Sequence, residues 1–262
     1  GNYGVRLQID RKDELGKLSE LFNQLSQTLA ANRSAQQRWI ADISHELRTP
    51  VAVLEAELEA IEDGVRRADE AQVASLLNEV RRLSRLINDL YELSRSDSGD
   101  LSYQMSRLDL VELVQRTAQA FEARVAQASL EFQVQLPSDS LFVNADEARL
   151  YQLLGNLLEN SCRYTDAGGK LILSADRDEE GLVILEVQDS SPAVPEEELP
   201  RLFDRLYRVE SSRSRETGGS GLGLSICRNI ALAHGAKLDA SLSALGGLCV
   251  RLTLPPAKEQ SQ

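Results

Sequence analysis

Apolar residues at Leu15, Leu18, Phe22, Leu25 and Leu29 recur in steps of three and four, give way to polar Asn32 and Gln36, and resume at Trp39 and Ile43. That spacing keeps a narrow stripe on one face of an α-helix. The stripe goes on through Val51, Leu54, Leu58 and Ile61, so Asp13 to about Glu62 reads as one very long helix or two in series. Such a helix does not suit a compact domain unless another helix pairs with it. A polar break at Asp63-Gly64 is followed by a second seam, Val73, Leu76, Val80, Leu83, Ile87 and Leu90. Two antiparallel helices with narrow stripes bury too little alone. The expected solution is a four-helix bundle made by two chains, and so a homodimer.

Inside the first helix lies Ile43-Ser44-His45-Glu46-Leu47-Arg48-Thr49-Pro50, with one of only two histidines in the chain. His45 is two residues past the seam position Ile43 and therefore points away from the buried face. A carboxylate such as Glu46, accepting one ring N–H, leaves the other ring nitrogen as a nucleophile. Thr49, four residues on, shares the face of His45. Pro50 removes the N–H that would bond the Glu46 carbonyl, which predicts a bend or a loosened turn. The four-residue spacings Ile43, Leu47 and Val51 form a stutter, which locally unwinds a coiled coil.

Length and charge narrow the field. A chain of 262 residues holds one large or two ordinary domains, and a formal charge of -12 argues against a nucleic-acid surface. A local arginine cluster could still hold a small phosphate ligand. No run of about 18 apolar residues is present to span a membrane, no signal peptide is visible, and Gly1 does not read as a natural start. Cys162, Cys227 and Cys249 are odd in number and set in apolar patterns, so they read as reduced core residues of a cytoplasmic protein. Two distant histidines give a zinc site little support.

Past the candidate hinge at Ser94 to Arg107 the periodicity becomes mixed. Asp109 can cap a helix running to about Ala128. Leu130, Phe132, Val134 and Leu136 alternate as a strand, and Asp146 can cap a helix through Tyr164. Strands are expected at Lys170–Ala175, Leu182–Asp189, Lys237–Leu242 and Leu248–Leu254, with a helix over about Leu222–His234. Strands and helices segregate into one layer each, an α+β sandwich of about 150 residues.

Three stretches of this half point to one ligand type. Asn156, Asn160 and Arg163 fall on adjoining turns of one helix face, where two amides and a guanidinium suit a hydrated Mg²⁺ with its phosphates. Asp189 ends a strand, where a carboxylate can accept from an exocyclic amine such as that of adenine. Gly218-Gly219-Ser220-Gly221-Leu222-Gly223-Leu224 opens a helix, and free N–H groups at a positive dipole end cradle phosphate where glycine permits close approach. No Gly-Lys-Ser/Thr follows, so this is no Walker A loop, and no strand precedes it as a dinucleotide fingerprint requires. Upstream, Arg201, Arg205, Arg208, Arg213 and Arg215 suit a lid over a triphosphate, or equally a solvated charged loop.

His-Glu-Leu-Arg-Thr-Pro, an Asn-containing helix, Asp at a strand end, Leu202-Phe203-Asp204-Arg205-Leu206-Tyr207-Arg208 and Gly-Gly-Ser-Gly-Leu-Gly-Leu, in that order, resemble the class I (HisKA-type) sensor histidine kinases of two-component systems. The resemblance covers about residues 13 to 255. Residues 13 to 30 look like the last helix of a HAMP signalling domain. Leu58 to Val65 and Asp189 to Pro192 look closest to envelope-stress sensors of Gram-negative bacteria. The fold this implies is multi-domain: a long helical hairpin forming a dimeric four-helix bundle, then an α+β sandwich ATP-binding domain of the GHKL (Bergerat) type. The expected divisions are 1–34 for the end of the HAMP-like helix, 35–96 for dimerisation and histidine phosphotransfer, 97–107 for the hinge linker, 108–256 for ATP binding and 257–262 for a polar tail.

The resemblance implies that His45 is phosphorylated with Glu46 as base, and that Thr49 positions water when the regulator is dephosphorylated. It places Mg²⁺ on Asn160, with Asn156 and Arg163 near the phosphates. Tyr164 would lie against the nucleotide and Asp189 would read adenine. Gly219, Gly221 and Gly223, with Leu222 and Leu224, would border the phosphates beside a lid carrying Arg208, Arg213 and Arg215. ATP and Mg²⁺ are the expected cofactors. The expected partners are a second copy and the receiver domain of a response regulator, with the full protein anchored in the inner membrane through segments outside this sequence. The family usually has Asp-x-Gly-x-Gly where this chain has Asp189-Ser190-Ser191-Pro192-Ala193. If either glycine needs φ > 0, Ser191 or Ala193 carries strain or the loop is built differently. Two other readings stay open: a signalling scaffold that no longer hydrolyses ATP, and an ATP-driven clamp with the same nucleotide fold and an incidental His45.

Overall fold

A computed structural model describes Leu7 and residues 13–97, 102–209 and 220–257. The chain forms two compact units, residues 1–83 and 84–262.

In the first unit α1 runs unbroken over Glu14–Glu62, 49 residues, with Pro50 inside it. Asp13 starts it by accepting the Gly16 N–H at 3.2 Å, as a carboxylate N-cap does. Helical geometry carries on past Pro50, so whatever loosening Pro50 introduces does not end the helix. Gly64, at φ 71°, turns the chain after Asp63, and α2 spans Glu70–Asp97. Glu57 on α1 closes the hairpin. It accepts from Gln72 Nε2 at 2.9 Å and lies 3.6 Å from Arg66 of the turn. Leu15, Leu18, Phe22, Leu25, Leu29, Val51, Leu58, Val73 and Val80 stay exposed in the single chain.

The second unit begins with the last turns of α2 and continues as β1 (Ser106–Asp109), α3 (Leu110–Gln127), β2 (Glu131–Gln135), β3 (Phe142–Ala145) and α4 (Glu147–Tyr164). Then come β4 (Lys170–Arg177), β5 (Val183–Ser190), a 3₁₀ turn at Glu196–Arg201, α5 (Gly223–Ala233), β6 (Lys237–Leu242) and β7 (Gly246–Leu254). Asp109 and Asp146 cap α3 and α4 as their sequence positions suggest, accepting from Val111 and Arg149. The five-stranded sheet has the order β2-β4-β5-β7-β6, with β2 parallel to β4 and the other pairs antiparallel. A separate ribbon, β1 with β3, was not expected from sequence; it pairs Ser106 with Ala145 through Asp109 with Phe142.

Alternation along the strands turns Leu171, Leu173 and Ala175 of β4, Val183, Leu185 and Val187 of β5, and Val250, Leu252 and Leu254 of β7 into the interior. Leu110, Leu113 and Val114 of α3, Leu150, Leu153, Leu154, Leu157 and Leu158 of α4, and Ile226 and Ile230 of α5 are buried with them. Each fully buried leucine contributes roughly 2 kcal/mol. Leu86 and Leu93 of α2 are buried too. Of the candidate hinge, Ser94–Asp97 form the last turn of α2, residues 98–101 lie outside the described residues, and Gln104 is tied down, its N–H donating to Asp146 Oδ2 at 2.8 Å. The three cysteines are free; Cys227 and Cys249 are buried as expected, whereas Cys162 is only half-buried. Burial pushes the Cys227 thiol up to about 12.

Candidate active site

Along β5 the inward row runs Val183, Leu185, Val187 and then Asp189, so the pleat that builds the core ends on a carboxylate only 8 % exposed. A bulge shapes its surroundings. Gln188 pairs with Cys249 and Ser190 with Gly246, leaving Gly247 and Leu248 opposite Asp189 alone. The Leu248 N–H donates to Asp189 Oδ1 at 2.7 Å, and the Ser161 hydroxyl of α4 donates to Oδ2 at 2.8 Å. A Cβ on Gly247 would come within 2.5 Å of Asp189 Oδ1, so only glycine fits there. Burial raises the Asp189 pKa, and these two donors oppose the rise.

On α4, Asn156 and Asn160 are half-buried, one turn apart. Asn156 Nδ2 lies 3.4 Å from the Gly223 carbonyl oxygen, which puts the helix face that carries both amides beside the start of α5. Among the described residues no side chain caps α5 at Leu222, so its first N–H groups remain available to an anion. Arg163 is on the same helix but donates to Glu159 at 3.2 Å, and Glu159 also takes Arg124 of α3. Its guanidinium therefore sits in a carboxylate network. Tyr164 is exposed at the end of α4.

The backbones of Leu206 and Gly221 meet; the Leu206 N–H donates to the Gly221 oxygen at 3.0 Å. Arg208 follows, with Nε and Nη2 buried and without a hydrogen-bond partner among the described residues. Arg201 stacks over the Tyr207 ring at 4.3 Å. Gly223 and Leu224 form the first turn of α5. Arg213, Arg215 and Gly219 lie outside the described residues. In the loop after Asp189 neither Ser191 nor Ala193 has positive φ, and the Ser191–Pro192 peptide is cis. Neither replacement therefore carries left-handed strain.

In the first unit His45 is exposed on α1, as its offset from the seam requires, and Glu46 is half-buried. Neighbouring side chains diverge on a helix, and no hydrogen bond joins this ring to this carboxylate among the described residues. Thr49 lies one turn on and donates to the His45 carbonyl at 3.2 Å.

Sequence reasoning missed Ser161, Gly247 and the Leu248 N–H. Ser161 had left a signal, a hydroxyl placed in line with the apolar row of α4. The Gly246-Gly247 pair inside a strand pattern was another.

The model of the histidine kinase-, DNA gyrase B-, and HSP90-like ATPase family matches residues 145–258, the His Kinase A (phospho-acceptor) domain matches 35–99 and the HAMP domain matches 1–31. The signal transduction histidine-protein kinase BaeS of Escherichia coli is 49% identical over 97% of this chain and 54% of its own length. The chain thus spans about half of such curated relatives. The solved histidine kinase AdeS of Acinetobacter baumannii superposes with a TM-score of 0.68 at 31% identity, covering 82% of this chain and 98% of that one. The histidine kinase ThkA, solved in complex with the response regulator protein TrrA, shares the fold at a TM-score of 0.70 over 97% of this chain and 70% of that one, at 22% identity. With phosphoacceptor and ATPase regions both present and in this order, the chain belongs to the sensor histidine kinases, on the side of the family near BaeS.

Proposed function

We propose that the chain catalyses Mg²⁺-dependent transfer of the γ-phosphoryl group of ATP to His45, passes it to an aspartate of a response regulator, and removes it again when signalling stops. The observation that carries the reading is the approach of Asn156 to Gly223 at the start of α5, where no side chain caps the helix. It supplies an anion cradle beside an amide face, with the Asp189 carboxylate on the same unit for a base.

Phosphoryl transfer asks little covalent chemistry of a protein and much positioning. The N–H groups at the start of α5 and the Arg208 guanidinium, whose Nε and Nη2 have no partner among the described residues, suit the phosphates. Asp189 accepts from the exocyclic amine of adenine, and Gly223 lets the chain approach the phosphates closely. The amide oxygen of Asn160 fits a Mg²⁺ ion that keeps most of its waters. Bound there, Mg²⁺ would neutralise charge on the phosphates. His45 attacks with a neutral ring nitrogen, the bond from the γ-phosphorus to the bridging oxygen breaks, ADP leaves, and the other ring proton goes to Glu46 once its side chain turns to meet the ring. The acceptor His45 belongs to the first unit and the nucleotide-binding residues to the second. The linker assigned between the two is residues 97–107.

The exposed stripe Leu15, Leu18, Phe22, Leu25 and Leu29 with Val73 and Val80 calls for a second copy of the chain, completing a four-helix bundle. The HAMP match at residues 1–31 suits a protein whose signal arrives from a membrane, although no helix among the described residues is long and apolar enough to cross one. Likeness to BaeS favours envelope stress as that signal. The test is incubation with Mg²⁺ and γ-labelled ATP, wild type beside His45→Gln. An acid-labile, alkali-stable label in wild type alone is the expected result. Label retained by His45→Gln removes the assignment, and nucleotide binding without any label favours a scaffold.

A further inference from the structure

Several hydroxyls on the helices of this protein turn back on their own backbone. Thr28, Ser44, Thr49 and Thr117 each donate to the carbonyl four residues before them, the usual local option for such a side chain. Ser161 does otherwise. It is 4% exposed, continues the row Leu150, Leu154, Leu157 and Leu158 on the buried face of α4, and sends its hydroxyl across to Asp189 on β5.

We infer that Ser161 is a positioning residue for nucleotide recognition, fixing the Asp189 carboxylate as an ionised acceptor and so setting the choice of adenine over guanine nucleotides. The inference rests on the reading of Asp189 as the group that meets the base. Each carboxylate oxygen takes one donor from the protein, Oδ1 from the Leu248 N–H and Oδ2 from Ser161. Each oxygen keeps lone-pair capacity for a ligand N–H. Both donors favour the ionised form, which burial disfavours.

The surroundings leave this task to few groups. Opposite Asp189 in register on β4 stands apolar Leu171. β7 offers the Leu248 N–H and the Cys249 thiol, itself pushed up by burial first, then by the Glu186 charge and lastly by Asp189. No cation faces the carboxylate among the described residues. Without Ser161, ionisation is held by one N–H alone, and Asp189 takes a proton at higher pH. A protonated carboxyl can donate. It can then meet the O6 acceptor of guanine, which an ionised carboxylate repels, and it accepts less well from the adenine amine.

The experiment is equilibrium binding of ATP and of GTP to the whole chain from about pH 5.5 to 8.5, for wild type, Ser161→Ala and Asp189→Asn. For Ser161→Ala, ATP affinity is expected to fall about tenfold at neutral pH. Its decline toward acid should set in at higher pH than in wild type, and the ATP-to-GTP ratio should shrink. An Ala variant whose pH curve and ratio superimpose on wild type overturns the inference. Asp189→Asn separates the two levels. If it leaves the ATP-to-GTP ratio intact, the reading of Asp189 itself falls; if it collapses the ratio while Ser161→Ala does not, only the role of Ser161 falls.

Discussion

Leu206 and Gly221 hold the two ends of the segment between them in backbone contact. The Leu206 N–H donates to the Gly221 carbonyl at 3.0 Å. Leu206 itself sits at φ 59°, Gly221 at φ 68°, and a Cβ on Gly221 would lie 3.0 Å from both Cα and C of Leu206. Both a left-handed backbone and a close approach thus fall on one glycine.

Gly221→Ala is therefore expected to cost about 2 kcal/mol locally and to weaken nucleotide binding by about tenfold or more. Gly223→Ala is the control, since a Cβ there meets Asn156 at an ordinary 3.8 Å and the backbone is not left-handed. It should leave thermal stability unchanged and weaken nucleotide binding alone, by crowding the phosphates. Calorimetric titration beside thermal melts reads both effects. Wild-type affinity in Gly221→Ala would mean that the closed base of the segment is irrelevant to binding.

Asn160→Ala should remove the Mg²⁺-dependent part of ATP binding and leave a weak, metal-independent remainder. Asn156→Ala loses its contact with the Gly223 carbonyl and should weaken binding with and without the metal. ATP titrations in Mg²⁺ and in chelator separate the two residues. Equal behaviour of Asn160→Ala and wild type in Mg²⁺ would take Asn160 out of the site.

Much of this architecture was legible because periodicity reports burial directly. The stripe from Leu15 to Ile61 gave α1 to within a residue at its start, and Asp109 and Asp146 marked the starts of α3 and α4 through a local bond that needs no tertiary context. The β1–β3 ribbon was not legible. It pairs segments more than 30 residues apart, and Ser106–Asp109 shows no alternation to betray it. Asp189 could be singled out as a carboxylate ending a strand. Its partners could not, since the Leu248 N–H is freed by a register shift and Ser161 reaches it only after α4 packs on the sheet. Arg163 shows the reverse limit. Helical spacing put it on the face of Asn156, but Glu159 and Arg124 decide where its guanidinium lies.

Asp89, on the part of α2 that belongs to the second unit, carries a pH signature. Its pKa is raised to about 6, chiefly by burial, against the hydrogen bond from Ser220 at 3.3 Å, with Glu92 adding repulsion and Arg85 relieving it. A raised folded-state value means that the fold prefers the neutral acid. The associated stability is fully present below about pH 4 and is lost as pH rises through about 6. Asp89→Asn keeps the side chain neutral and should be more stable than wild type at pH 7. Because the carboxylate is partly exposed, the gain is held to roughly 1 kcal/mol. The two proteins should converge below about pH 4, and urea unfolding across that range reads the difference. Parallel curves for the two proteins would show that Asp89 is solvated in both states.

Thr49 offers the cleanest separation of chemistry from structure. It is exposed on α1, and its hydroxyl donates only to the His45 carbonyl of its own helix at 3.2 Å. A surface bond of that kind contributes little, so Thr49→Ala should change stability by no more than about 0.5 kcal/mol. The His45 ring does not depend on it, so labelling by ATP should stay within about twofold of wild type. Dephosphorylation of a regulator needs an added water aligned against the phosphoaspartate, and the role proposed for the Thr49 hydroxyl, one turn from His45, is to orient it. Thr49→Ala should slow that reaction by about a hundredfold, while Thr49→Ser, which keeps the oxygen, should stay near wild type. Phosphatase rates measured with purified phosphorylated regulator decide the matter. An unaltered rate in Thr49→Ala assigns the water to another group, whereas equal slowing of labelling and dephosphorylation would trace the defect to the helix around His45 and not to the hydroxyl.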